Sequence, residues 1–178
     1  RWFSVVSENI LPSYFTSTLK LRRLGFRGAF RMVNHHDAHA ASAFFVSPFE
    51  RAAVLTVDGA GEYNCSVFYH GQGSRLTRLQ QIDLPHSVGG LYEVISVFLG
   101  FDLLEGPGKV MGLAAFGSPE PYRKAFQTFV SLLPQGRYAI DCDYVNLIGV
   151  SGEHFMPKLI DLLGPPRGEG EPMTQRHK

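Results

Sequence analysis

Three histidines and an aspartate occur within five residues, directly before a run of small residues, and this stretch constrains the chain more than any other. Residues 34–44 read NHHDAHAASAF. If the stretch is helical, His35 and His39 lie one turn apart on the same face, with Cβ atoms about 5–6 Å apart. Two imidazoles at that spacing can hold one metal ion. The segment from Asp37 to Phe45 is predicted as the helix, with Ser47-Pro48 after its end.

Two interpretations of these histidines stay open on spacing alone. Zinc proteases with such a pair carry Glu directly after the first histidine, and His36 occupies that position here, so a protease of that type is excluded. Histidine clusters also occur as solvated surface residues or as hydrogen-bonded core residues. The rest of the chain has to decide between those readings and a metal site.

Composition sets broad limits. The chain has 178 residues, enough for one domain with a substantial core, and 17 Lys and Arg against 16 Asp and Glu give a formal charge of +1. This balance gives no reason to expect a nucleic-acid partner. Cys65 and Cys142 are too few for a disulfide framework, so a cytoplasmic location is expected. No apolar run reaches the roughly 18 residues of a membrane span. The first residue is Arg1 rather than Met, and we expect a piece of a longer protein.

Hydrophobic periodicity and turn residues predict an α/β domain with a mainly antiparallel sheet. The strands of a meander are predicted from Arg51 to Val57, as a buried strand, from Asn64 to His70 and from Leu76 to Asp83. Further strands are predicted at 30–33 and 138–145. Helices are predicted at 14–24, 91–99, 110–116, 121–133 and 154–163, with a loop at 105–109.

A glycine-rich turn follows the first strand of the meander. Asp58 at the strand tip can bind a metal, and Gly59 and Gly61 let backbone N–H groups approach an anion. Glu62 and Asn64 can reach a ribose, a base or a metal ligand. The competing interpretation is an ordinary hairpin turn, in which Asp-Gly is common.

A second glycine-rich segment carries Lys109. A lysine beside glycines and just before a helix suits phosphate binding, although the spacing is not that of a P-loop. The alternative is a surface lysine on a Gly-Pro turn. The segment with Ser87, Gly89 and Gly90 is likewise either an anion-binding helix start or a plain N-cap.

Taken together, these segments resemble the O-carbamoyltransferases of antibiotic and nodulation-factor biosynthesis. The resemblance covers most of the chain in the right order. It rests on the segments 34–44, 58–62, 91–93 with 99–101, 108–117 and 172–178. It implies part of an actin-like ATPase fold of the ribonuclease H-like type, shared with threonylcarbamoyl-transfer proteins of tRNA modification and with hydrogenase maturation factors. Within that fold, residues 1–50 would end a first subdomain that carries the metal-binding helix, and residues 51–178 would begin a second.

The resemblance also implies a site. His35, His39 and Asp58 map to metal ligands, with Fe²⁺ preferred and Zn²⁺ or Mg²⁺ as alternatives. The nucleotide site, for ATP or a carbamoyl-adenylate, maps to Gly59, Ala60, Gly61, Glu62, Asn64 and Lys109. His36 has no assigned role and is expected either behind the metal ligands or facing solvent.

The implied reaction moves a carbamoyl group from carbamoyl phosphate, through the nucleotide, to the hydroxyl of a small molecule. His39 is the catalytic candidate, and His39 and His86 are the candidates for general base. A further upstream His-Asp motif, a later acidic ligand and the carbamoyl-phosphate domain of the family are absent from these 178 residues, so we expect weak or no activity from this piece alone.

Two rival functions remain. The first is a sibling transferase, although the tRNA siblings usually carry Ser-Gly-Gly where this chain has Asp58, Gly59, Ala60 and Gly61. The second is a binding module that kept the fold and lost the chemistry. A second copy of the chain, as a homodimer, is also retained as a candidate partner.

Overall fold

A three-stranded antiparallel sheet in the order β1–β2–β3 lies at the centre of the part of the chain that carries the histidines. The computed structural model describes residues 16–147 and 154–178. The strands are β1 (Arg51–Val57), β2 (Asn64–Gln72), β3 (Arg75–Asp83) and, in a separate two-stranded sheet, β4 (Val130–Leu132) and β5 (Tyr138–Ile140). The helices are α1 (16–23), α2 (His35–Phe44), α3 (Val88–Phe98), α4 (Gly106–Ala114), α5 (Glu120–Phe129) and α6 (Pro157–Leu163). The predicted α/β class, with an antiparallel sheet and packed helices, is confirmed.

The predicted meander is also confirmed. β1 pairs with β2 from Arg51 opposite Gln72 to Val57 opposite Ser66, and β2 pairs with β3 across a tight turn in which Gly73 has a φ of +55°. The prediction that β1 is buried is wrong, since Leu55 is 55% exposed. β1 is an edge strand, and because side chains alternate between faces, α2 covers only one of its two sides.

Helix α2 packs on the sheet through small residues. Ala40 is fully buried against Val67 and Tyr69. The helix begins at His35, two residues earlier than predicted, because the Oδ1 atom of Asn34 accepts the N–H of Asp37 and caps the first turn. The strand predicted at 30–33 is wrong. That segment pairs with no strand among the described residues, and β-prone residues without a partner strand do not form one.

Helices α3, α5 and α6 and strand β5 enclose a larger apolar cluster. Its buried members are Leu91, Val94, Phe98, Phe129, Ile140, Val145 and Leu159. α3 begins at Val88 rather than at 91, because the hydroxyl of Ser87 caps it by accepting the N–H of Gly90 at 2.9 Å. It ends before Gly100, whose φ of +72° suits a glycine that terminates a helix.

Four other predicted boundaries are wrong. The predicted loop 105–109 lies largely in α4, where Pro107 fits the first turn. The predicted helix 121–133 ends at Phe129, because the next three residues pair with β5. The predicted strand 138–145 ends at Ile140, and the predicted helix 154–163 begins at Pro157, again a first-turn proline.

Two further predictions concern the N-terminal helix and membranes. The start of the helix predicted at 14–24 lies outside the described residues, and its end before Gly25, with a φ of +94°, agrees with the structure. Among the described residues, no helix has the length and apolar character needed to cross a membrane.

Candidate metal centre

Helix α2 and the tip of β1 bring together His35, His39 and Asp58. The Nε2 atom of His35 lies 2.7 Å from Oδ2 of Asp58 and 3.1 Å from Nε2 of His39. The Nε2 atom of His39 lies 3.5 Å from the same Asp58 oxygen. Two residues one helical turn apart and one residue 19 positions further along the chain therefore point three ligand atoms at a single place.

The two distances from Nε2 of His39, 3.1 and 3.5 Å, fit a shared metal ion, and the 2.7 Å between His35 and Asp58 is slightly shorter. Metal–nitrogen and metal–oxygen bonds of about 2.0–2.2 Å place neighbouring ligand atoms roughly 2.8–3.6 Å apart in tetrahedral or octahedral geometry. Two imidazoles and one carboxylate are a donor set that suits several divalent ions. All the ligand atoms lie within 4.8 Å of one another, and His39 is exposed, so room for further ligands remains on the solvent side.

The carboxyl group of Asp58 is ionised at neutral pH. Its partial burial opposes ionisation, but the hydrogen bond with His35, the N–H of Gly59 on Oδ1 at 2.8 Å and the nearby imidazoles outweigh that effect. The net result lowers the pKa of Asp58 below its ordinary value. An ionised carboxylate thus faces the two imidazoles at neutral pH.

A cavity of about 530 Å³ opens beside the two histidines. Its lining residues are Val33, His35, Ala38, His39, Ser42 and Glu62. The small side chains of α2 form its floor, and Glu62 brings the glycine-rich loop to its edge. The cavity is large enough for a small-molecule ligand to reach the exposed side of the cluster.

The glycines of the loop at 59–61 serve close packing. The N–H of Gly59 is bonded to Asp58, and the N–H of Gly61 donates to the carbonyl oxygen of Asn64 at 2.7 Å, so both amides are used inside the loop. A Cβ atom on Gly61 would lie 2.8 Å from the His36 ring, and one on Gly59 would lie 2.8 Å from Oε1 of Glu93. Ala60 is exposed between them.

The start of α3 packs directly on this loop. A Cβ atom on Gly89 would lie 2.5 Å from the carbonyl oxygen of Asp58, and the Ser87 hydroxyl donates to the carbonyl of Gly59 at 2.6 Å. Of the two interpretations of residues 87–90, the N-cap is therefore what the structure shows. The loop itself fills the space in front of that helix start.

Glu62 and Asn64 have different positions from each other. Glu62 accepts the N–H of His35 at 3.1 Å and the amide of Asn34 at 2.5 Å, so it holds the first turn of α2. Asn64 is fully buried, and its side chain donates to Asp83 at 2.6 Å. Glu62 borders the cavity, whereas Asn64 does not line it.

Lys109 lies on α4 instead of in a loop. Its Nζ atom faces Glu105 at 4.0 Å, and more than half of its side chain is exposed. It does not line the cavity at the histidines. Its contact with a nucleotide stays a prediction.

The rings of His36 and His86 form hydrogen bonds within the fold. His36 is fully buried, with Nε2 donating to the carbonyl of Asn64 at 2.9 Å and Nδ1 lying 2.8 Å from the hydroxyl of Thr56. The solvent-facing alternative for His36 is therefore wrong. His86 accepts the N–H of Ile140 at 3.2 Å through Nδ1 and does not line the cavity, so of the two base candidates only His39 lies there.

Sequence reasoning missed a polar cluster behind α2. Arg78 of β3 donates to Asp37 at 2.7 Å, and the hydroxyl of Tyr69 donates to the same carboxylate oxygen at 2.8 Å. The available signal was the alternation of Leu76 and Arg78, which places Arg78 on the sheet face that α2 covers. Nothing local in the sequence pairs it with Asp37, 41 residues away.

Several known proteins and one protein family are similar in sequence to this chain. A family described as "Carbamoyltransferase N-terminus" matches residues 6–160. Nodulation protein NolNO of Sinorhizobium fredii is 37% identical over 171 residues, which are 96% of this chain and 22% of that protein. Nodulation protein NolO of Bradyrhizobium diazoefficiens is 33% identical over 146 residues, 82% of this chain and 24% of that protein.

A third relative is the uncharacterized protein sll1178 of Synechocystis sp. It is 40% identical over 144 residues, which are 80% of this chain and 23% of that protein. The chain thus spans about a quarter of the length of the curated relatives it matches.

Proposed function

This chain belongs to the carbamoyltransferase N-terminal family, and on that premise we propose that it contributes the metal site of an enzyme that transfers a carbamoyl group to a hydroxyl. The observation that carries the proposal is the convergence of His35, His39 and Asp58 within 4.8 Å. The substrates proposed are carbamoyl phosphate, ATP and a small molecule with a free hydroxyl.

His35 and His39 would hold a divalent ion through neutral imidazole, and Asp58 would hold it through an ionised carboxylate. Fe²⁺ is our first choice for the resident ion, and Zn²⁺ is the nearest alternative for this donor set. When bound, the ion would supply Lewis-acid polarisation of a carbamoyl oxygen or a fixed positive charge for phosphate oxygens. Mg²⁺ fits less well, because it prefers oxygen ligands.

The chain's own residues would orient the ligands around that site. Glu62 fixes the backbone of His35, and the N–H of Gly59 fixes the carboxylate of Asp58 through Oδ1, which leaves Oδ2 for the ion. Ala60 lies exposed at the outside of the loop, so we place a phosphate oxygen nearest its N–H rather than at the amides of Gly59 and Gly61. His39, exposed in the cavity wall, would serve the reaction as a ligand of the ion, because its one basic nitrogen would then be bound to the metal and could not also accept the proton of an acceptor hydroxyl.

Two observations favour this function over its rivals. The matched family is that of carbamoyltransferases, and Asp58 stands where the tRNA siblings usually have serine. All three proposed ligands are present and converge, whereas a binding module without chemistry has no need to keep them together.

Metal binding by the purified chain tests the proposal. We expect about one Fe²⁺ or Zn²⁺ per chain after loading, and a loss of at least about tenfold in affinity for His35→Ala and for His39→Ala. His70→Ala, on β2 and outside the cavity lining, is the matched control and should bind as wild type does. Equally little metal in the wild type and in both site variants would contradict the proposal.

Carbamoyl transfer is tested in the full-length protein, because this chain spans about a quarter of its relatives. His35→Ala and His39→Ala should each abolish transfer to the acceptor hydroxyl, and His70→Ala should leave it unchanged. Full turnover by residues 1–178 alone would contradict the expectation that this piece is weakly active or inactive.

A further inference from the structure

We propose that Arg78 is a positioning residue for the metal centre, which it serves by fixing the first turn of α2 and not by touching a ligand. This inference rests on the proposed function of that centre. Arg78 lies on β3, and the sequence alone assigned it no role. Its guanidinium makes short contacts to two side chains of the helix start.

Asn34, the N-cap residue of α2, contacts both Arg78 on β3 and Glu62 in the glycine-rich loop. Its Oδ1 atom caps the helix by accepting the N–H of Asp37, and the same oxygen accepts Nη2–H of Arg78 at 2.7 Å. Its amide nitrogen donates to Glu62. The N-cap residue is thereby held from β3 on one side and from the loop that carries Asp58 on the other.

Asp37 is the second point of attachment. Nη2 of Arg78 lies 2.7 Å from Oδ1 of Asp37, and the Tyr69 hydroxyl donates to that oxygen at 2.8 Å. The guanidinium also lies over the Tyr69 ring, 5.7 Å from its centroid. Arg78 therefore contacts both Asn34 and Asp37, and His35, the first residue of the helix, lies between these two residues.

The apolar contacts of α2 do not fix the position of its first turn, so this depends on the polar contacts. The buried apolar residues of α2 are Ala40 at its middle and Phe44 at its end, whose ring packs on Gly71, so neither of them holds the first turn directly. A shift of one residue turns a helix face by about 100°. Such a shift would carry His35 and His39 away from Asp58, so directional hydrogen bonds at the first turn decide whether the three ligands meet.

The test compares Arg78→Met and Arg78→Lys with Arg75→Met, an exposed arginine on the same strand. Without metal, amide hydrogen exchange is followed in residues 34–39. We expect exchange there to be at least about tenfold faster in Arg78→Met and unchanged in Arg75→Met, with exchange in β1 and β2 unaltered in both. Arg78→Lys keeps the charge but replaces the guanidinium fork by a point donor, so it should fold normally and fall between the two.

The second measurement is Co²⁺ affinity, read from the visible absorption of the bound ion. Removing a residue that orients metal ligands typically costs about 10–100-fold in affinity, and we expect a loss in that range for Arg78→Met and a smaller one for Arg78→Lys. Asp37→Asn combined with Arg78→Met should cost less than the two single losses together, because both variants break the same contact.

The outcomes separate the two proposals. Unchanged exchange in residues 34–39 of both Arg78 variants would overturn the positioning role, and so would faster exchange with unchanged Co²⁺ affinity. Wild-type protein that binds no Co²⁺ would overturn the metal centre itself, while the exchange data would still show whether Arg78 holds the start of α2. If Arg78→Met does not fold, Arg78→Lys against Arg75→Met decides the question alone.

Discussion

Two regions of this molecule are stabilised in different ways. The sheet region consists of α2 and β1–β3, and the helical region consists of α3, α5, α6 and the β4–β5 hairpin. The buried apolar cluster of the sheet region has three members, whereas that of the helical region has seven, with two large aromatic side chains among them. The proposed metal ligands all belong to the region with the smaller core or to the loop that leaves it.

Apolar burial and hydrogen bonds differ in what they can specify. Burial scales with area and has no direction, so a large cluster stabilises the helical region without fixing any one side chain to a fraction of an ångström. Hydrogen bonds act only at the right distance and angle. In the sheet region, α2 is held by hydrogen bonds of Asn34, His36, Asp37 and Glu62. We infer that this region gains less stability from apolar burial but fixes the orientation of its side chains more closely.

The largest expected effect is a loss of stability in the helical region. Phe129 is 1% exposed and stacks on Tyr144 with ring centroids 5.3 Å apart. Truncation of a buried phenylalanine leaves a cavity, so Phe129→Ala should lower the free energy of unfolding by about 3–5 kcal/mol, measured by denaturant titration. The Co²⁺ affinity of the folded fraction should stay as in wild type.

Phe116→Ala is the control for this variant. Phe116 is 73% exposed, and its truncation should change the free energy of unfolding by no more than about 0.5 kcal/mol. If Phe129→Ala weakened metal binding in molecules that remain folded, the division of tasks between the two regions would not hold.

The second effect combines stability with orientation. Ala40 is fully buried against Val67 and Tyr69, so Ala40→Leu overpacks the contact between α2 and the sheet and should cost about 1–3 kcal/mol. Because the larger side chain displaces the helix, Co²⁺ affinity should fall as well. Ala43→Leu, on the exposed side of α2, should change neither quantity, and equal effects of the two variants would contradict this account.

The same contrast explains what the sequence could predict of the fold. The meander was predicted to within two residues at each strand end, since alternation and turn glycines are local signals. The start of α2 was missed because a side chain, that of Asn34, caps it. α5 was predicted too long because residues 130–132 pair with β5, six to ten positions further along the chain, and this pairing overrides their helical pattern.

The candidate site shows the same limit. The spacing of His35 and His39 and the position of Asp58 at a strand tip were readable, and the structure brings these residues together. The contacts of Arg78 with α2 could not be predicted, since Asn34 and Asp37 lie more than 40 residues away from it. Short spacings in the sequence point to the proposed ligands of the site. The residue proposed to orient them, Arg78, lies on β3, and its contact with α2 depends on the folded chain.

A smaller effect concerns acid stability in the sheet region. Burial opposes ionisation of Asp37, but hydrogen bonds from Arg78 and Tyr69 outweigh it and lower the pKa of the carboxyl below its ordinary value near 4. A carboxyl with a lowered pKa stabilises the fold at higher pH, and that contribution disappears as the pH falls through the folded-state value. The carboxylate is about half exposed, so we expect at most about 1 kcal/mol.

Asp37→Asn tests this pH dependence. The difference in free energy of unfolding between wild type and variant should be constant above about pH 5 and shrink below about pH 4. Glu169→Gln, in an exposed loop, controls for the change in net charge and should show no such difference. A gap between wild type and Asp37→Asn that persists undiminished into acid would exclude the ionised pair as its cause.

The last prediction asks whether the two regions open together. Cys65 is buried on β2, and desolvation raises the pKa of its thiol to about 11, whereas Cys142 is exposed in a turn. In a Cys142→Ser background, labelling of Cys65 therefore requires opening of the sheet region, because the buried thiol is neither accessible nor ionised.

The regions are linked by the 2.7 Å contact between the Ser66 and Tyr138 hydroxyls and by the hydrogen bond between the His86 ring and the backbone of Ile140. We expect Phe129→Ala to accelerate Cys65 labelling by the factor that its loss of global stability dictates. Labelling that stays at the wild-type rate in that variant would show that the region with the proposed metal ligands opens independently of the large core.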